Sequence, residues 1–97
     1  MTELHIVARF HARPGCADAL ERAVGAVAAP TRAEPGCRDY AVVRGTRDPL
    51  LFVILSRWVD EAAFEAHAAL PHTVRFLETV TPLIDHPLDV ARAVKIL

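Results

Sequence analysis

Residues 51–58, LFVILSRW, decide the fold. The run is rich in β-branched and aromatic side chains, and the preceding segment Gly45-Thr46-Arg47-Asp48-Pro49 favours a turn over a helix, so residues 51–58 read as a strand. Its first five residues are apolar at every position, whereas a strand with one face in water alternates. A sheet built around such a strand must be covered on both faces. Across the turn, Tyr40 to Arg44 reads as a partner strand, giving a hairpin.

Upstream, Leu4, Ile6, Ala8 and Phe10 alternate with His5, Val7 and Arg9, the period of another strand, and Pro14-Gly15 ends it. Leu20, Ala23, Val24, Val27 and Thr31 then recur at three and four, while Asp18, Glu21 and Arg22 fall on the opposite side, as in an amphipathic helix. Pro30 removes a backbone donor, which predicts a kink or stop near Ala29. Glu34-Pro35-Gly36-Cys37 suits a type II turn. Downstream, Asp60 is placed to cap a helix, and Pro71 ends that helix and opens another. The stretch Leu88, Val90, Val94 and Ile96, set against Asp89, Arg92 and Lys95, reads as a fourth strand. The order β-α-β-β-α-β is the ferredoxin-like α+β plan, an antiparallel four-stranded sheet with helices on one side. Two helices cover one face, so a second copy of the chain is the simplest cover for the other.

The composition bounds what the chain can do. With 97 residues, 53% of them hydrophobic and 24% charged, one domain spanning 1–97 is expected. The formal net charge is −1 and the basic residues are scattered singly, which argues against nucleic acid or a membrane surface as partner. No apolar run approaches the roughly 20 residues of a bilayer span, and the first residues do not resemble a secretion signal, so a cytoplasmic location is expected. Cys16 and Cys37 have no metal-ligand spacing and, separated by the first helix, are expected to stay unbridged. No glycine-rich phosphate loop or dinucleotide fingerprint is present, so no cofactor is expected.

The candidate site lies in WVDEAAFEAHAALPHTVRF, residues 58–76. Phe64 and His67 are three apart on one helix, and His72 and Phe76 are four apart on the next, so each helix offers a ring and an imidazole. The histidines are five apart across a proline, unlike the four-residue spacing that sets two zinc ligands on one helix face, and no metal is expected. Histidine is the side chain suited to taking and returning a proton near neutral pH.

These pieces carry a resemblance. VARFHARPG at 7–15, TRAEPGC at 31–37, DPLLF at 48–52, then RW followed by the two histidines, resemble the antibiotic biosynthesis monooxygenase (ABM) family and in particular its quinol monooxygenase branch. The resemblance implies a dimeric α+β barrel, a homodimer of two sheets packed face to face. It implies oxidation of a small aromatic quinol or phenol by molecular oxygen without a cofactor. On that reading His67 is the base, His72 the donor or substrate anchor, and Trp58, Phe64 and Phe76 the walls that bind the ring. Arg9 and Tyr40 lie on strands from which they can reach a cleft or the dimer interface, the interface or surface being favoured for both, and His5, His11 and His86 are assigned to the surface or sheet. Two other readings share the same residues: an isomerase or tautomerase of a small hydroxycarbonyl metabolite, and a non-catalytic dimeric binder of quinone-like ligands.

Overall fold

The computed structural model describes residues 2–97. Its elements run β1 (Leu4–His11), α1 (Ala17–Arg32), β2 (Cys37–Arg44), β3 (Leu51–Trp58), α2 (Glu61–Ala69), α3 (Pro71–Val80), a 3-10 turn (Thr81–Leu83) and β4 (Asp89–Ala93). The strands form one antiparallel sheet in the order β2-β3-β1-β4. This is the ferredoxin-like plan, with the second helix broken in two at Leu70-Pro71.

Register sorts the side chains. Leu4 lies opposite Trp58, Phe10 opposite Phe52 and Ala8 opposite Ile54, so Leu4, Ile6, Ala8 and Phe10 share a face with Phe52, Ile54, Ser56 and Trp58, and all are buried. The amphipathic face of α1 packs on them through Leu20, Val24 and Val27, and α3 adds Phe76 and Val80. Phe76 meets Phe10 edge to face with ring centroids 5.7 Å apart. At the far end of β1, the two ring nitrogens of His11 meet carboxylate oxygens of Asp85 and Asp48, each at 2.8 Å. It thereby ties the β2–β3 connection to the segment leading into β4.

The opposite face of β3 carries Val53 and Leu55, beside Val7 and Val43, and Val43 and Leu55 stay 45% and 42% exposed. The doubly apolar reading of β3 therefore has a direct structural counterpart: the helices cover one face only.

Four local expectations are corrected. α1 does not stop at Ala29 but runs to Arg32, because Pro30 forfeits a single hydrogen bond while buried Thr31 and the Ala33 N–H to Ala29 carbonyl bond hold the last turn. The turn at 34–37 closes through the Cys37 N–H to Glu34 carbonyl bond of 3.1 Å, but Gly36 has no positive φ, so it is not type II. β2 begins at Cys37, three residues before Tyr40. β4 is only five residues long, and Val90 and Arg92 lie opposite Ala8 and Ile6, which puts both on the helix-covered face.

Candidate functional site

Local sequence places the two histidines on adjoining helix ends. The Asp60 carboxylate accepts from the Ala63 N–H at 2.8 Å and starts α2, a cap contributing about 1 kcal/mol. Leu70 is extended and Pro71 occupies the first turn of α3. His67 therefore sits in the last turn of α2 and His72 in the first turn of α3.

A third residue joins them from outside this stretch. The turn before β2 is pinned to the β3–α2 link by a Val59 N–H to Gly36 carbonyl bond of 2.9 Å, and a Cβ on Gly36 would overlap the side chain of Ala63. Only glycine permits so close an approach of turn to helix. The result is that Glu34 reaches both histidines. His67 Nδ1 donates to Glu34 Oε2 at 2.8 Å and His72 Nε2 donates to the same oxygen at 2.7 Å. The three side chains are 10% (Glu34), 12% (His67) and 22% (His72) exposed, so these charge-assisted bonds are partly shielded from water. Thr73 Oγ1 lies 3.3 Å from His67 Nδ1. With Nδ1 carrying the proton given to Glu34, the lone pair of the neutral His67 ring is on Nε2.

We expect Gly36→Ala to push the turn away from α2 and lower stability by about 1–3 kcal/mol, the scale of overpacking, while loosening the Glu34 contacts. Urea denaturation at equilibrium checks this; an unchanged midpoint would contradict the close-approach account.

Beside this cluster lies a cavity of about 400 Å3 between the sheet and the helices. Its walls include Ile54, Phe64, Phe76, Leu77 and Leu88, and its functional groups include Tyr40, His67 and Arg92. Volume and apolar lining suit a small organic molecule with one or two rings. Burial pushes the Tyr40 phenol up to about 12, so it stays a neutral hydroxyl at working pH. The Arg92 guanidinium lies 5.0 Å from the centre of the Phe64 ring and is held by Glu61 and Glu65.

The structure brings His67, Phe64 and Phe76 to the cavity but not the other two residues expected there. Trp58 is 1% exposed and does not line it: α2 covers the end of β3, and the indole is packed with Leu4 and Ile6 while its Nε1–H donates to Ser56 Oγ at 3.0 Å. Its ring supports His67 from below, centroid to centroid 4.6 Å. His72 also lies off the cavity, behind Glu34, where it lines a groove between α1 and α3. Of the places open to Tyr40, the cleft and the favoured interface or surface, the structure selects the cleft: Tyr40 is buried and lines the cavity. The spacing argument against a metal considered one helix; the structure brings two helices and a turn together, and Glu34, His67 and His72 each offer a ligand atom within 4.8 Å of the others.

The antibiotic biosynthesis monooxygenase family model matches residues 4–79. The chain is 33% identical over 85 residues to "Putative monooxygenase Rv0793" of Mycobacterium tuberculosis, covering 88% of this chain and 83% of that protein. It is 36% identical over 62 residues to "Putative monooxygenase YcnE" of Bacillus subtilis, covering 64% of this chain and 65% of the relative. The crystal structure of PA3566 from Pseudomonas aeruginosa superposes with a TM-score of 0.93 at 34% identity, over 100% of this chain and 97% of that one. Fold, motif order and relatives agree: the chain belongs to the antibiotic biosynthesis monooxygenase family.

Proposed function

We propose that this protein oxidises a small aromatic quinol or phenol with molecular oxygen, without a cofactor, in the cavity that His67 faces. One observation carries the reading. Among the cavity functional groups, Tyr40 is held neutral and Arg92 is a fixed cation, which leaves the imidazole of His67, a side chain type suited to general base catalysis, as the candidate base.

The chemistry follows from that base. His67 Nε2 takes the ring hydroxyl proton, and the adjacent Glu34 carboxylate stabilises the imidazolium that forms. The resulting phenolate is a far better one-electron donor than the phenol, so it can reduce dioxygen to superoxide. The two radicals combine into a ring hydroperoxide, which collapses to a quinone and water. One oxygen atom enters the ring, the other leaves as water, and the ring supplies both hydrogens, so no external reductant is needed. Phe64 and Phe76 hold the ring, Tyr40 donates to a substrate oxygen, and Arg92 is the cation nearest to charge developing on oxygen.

An oxygen-uptake screen over reduced quinols and catechols tests the reading: uptake in excess of the autoxidation blank, saturating with substrate, is expected. A ligand that binds and is isomerised without oxygen uptake would favour the tautomerase reading, for which a base and a neutral donor across one cavity are also suited.

The same reading includes a homodimer. Val43 and Leu55 lie more than two-fifths exposed on the sheet face that the helices leave bare, and contiguous exposed apolar surface of this kind is what a protein partner covers. Sedimentation equilibrium at micromolar concentration should give twice the chain mass of 10.6 kDa, and Leu55→Glu should shift it toward the monomer. A wild-type protein that sediments as a folded monomer would contradict the dimer.

A further inference from the structure

The Glu34–His67–His72 cluster has a capacity that the proton-transfer role does not use. We infer that it is a binding site for one divalent transition-metal ion of the zinc type. Three features converge on this. The donor set, two imidazole nitrogens and one carboxylate oxygen, is the three-ligand set found in zinc sites that keep a position open. The donors come from three separate elements, the turn before β2, α2 and α3, so the fold and not a single helix fixes their spacing. Glu34 Oε2 already stands 2.8 Å from His67 Nδ1 and 2.7 Å from His72 Nε2, all three atoms lying within 4.8 Å of one another. Ligands at 2.0–2.1 Å from a tetrahedral zinc stand about 3.3 Å apart, so side-chain rotation suffices to admit the ion.

The approach is open from one side. His72 is 22% exposed and lines the groove between α1 and α3, so an ion can arrive there without entering the apolar cavity. Among the described residues, neither His67 Nε2 nor His72 Nδ1 has a protein hydrogen-bond partner, and metal-bound histidines that lack such partners bind more weakly. The ion is therefore exchangeable and removable by a chelator. The cluster of His11 with two acids differs in kind: His11 spends one ring nitrogen on Asp48 and the other on Asp85, so its donors point away from a common centre.

Metal ligation through His67 Nδ1 moves the ring proton to Nε2 and removes the base. Zinc should then inhibit any activity that depends on that nitrogen. The binding itself is independent of whether the protein oxidises quinols.

The test is calorimetric titration of chelator-treated protein with Zn2+, repeated with Co2+ so that its visible absorption reports the ligand field. One Zn2+ per chain is expected in wild type. Glu34→Gln and His72→Ala should each weaken binding about 100-fold or more, since even an outer partner of a ligand is worth 10–100-fold. His11→Ala should leave binding unchanged. Circular dichroism melts of each variant separate lost ligation from lost fold; if either variant is unfolded, Co2+ absorption of the other together with histidine chemical shifts of the wild type on Zn2+ addition decides. Absence of stoichiometric binding in wild type, or binding that survives in folded Glu34→Gln and His72→Ala, would overturn the site. If Zn2+ binds as described but no quinol is oxidised, the metal site stands and the oxidation reading falls; if quinols are oxidised and Zn2+ does not bind, the reverse holds.

Discussion

His67→Ala is expected to lower quinol turnover about 100-fold or more, the scale of a general base. The fold should survive the change. Glu34, the group most exposed to harm by losing a partner, keeps His72 at 2.7 Å and so is not left as a buried unpaired carboxylate. The alanine also leaves Phe64 and Phe76 in place to hold a ring, so the loss should fall on turnover more than on KM. His72→Ala should behave differently: the side chain lines the outer groove and not the cavity, so substrate affinity should stay near wild type and turnover should fall less. Steady-state oxygen uptake of the two variants checks both. Equal losses, or a KM effect confined to His72, would return His72 to the role of substrate anchor.

Trp58→Ala is expected to be the most damaging single change to stability, by about 3–5 kcal/mol. The indole is 1% exposed and closes the second core cluster with Leu4 and Ile6, where β1 begins and β3 ends. It meets Phe64 edge to face at 5.8 Å and lies under His67 at 4.6 Å, so the cavity left behind would open beneath the base. A loss of that size is a large part of the 5–15 kcal/mol by which domains are usually stable. Trp58→Phe should keep most of the packing and lose the bond to Ser56, costing about 1–2 kcal/mol. Urea denaturation monitored by circular dichroism reads both. Near-equal midpoints for the two variants would mean that the ring contributes little beyond its hydrogen bond.

These two side chains also mark what the sequence could and could not reveal. The strand and helix periods and the turn residues between them gave the β-α-β-β-α-β order, and the Leu70-Pro71 break set the two histidines on successive helix ends, so topology and the candidate segment were legible without coordinates. Glu34 was not. It sits in a stretch that reads as a turn, and its reach to His67 and His72 depends on Gly36 closing against Ala63, a contact between segments 27 residues apart in the chain that no local pattern encodes. The same holds for Trp58: alternation along β3 puts it on the helix-covered face, but whether that face is core or cavity at its end depends on where α2 lies. Arg92 reaches the cavity because β4 pairs with β1 in a register that sets it opposite Ile6, whereas hydropathy alone had placed it on the opposite face from Val90. The weak alternation and short length of β4 left that register undetermined until the partner strand was in place.

The measurement that bears most directly on the oxidation is turnover under 18O2 of a quinol that passes the uptake screen, using chelator-treated protein with no added reductant and mass spectrometry of the product. The account predicts one labelled oxygen atom in the quinone product, the second label in water, and one dioxygen consumed per product formed. A product of altered structure with no label and no oxygen consumed, or a quinone formed without label incorporation, would contradict it.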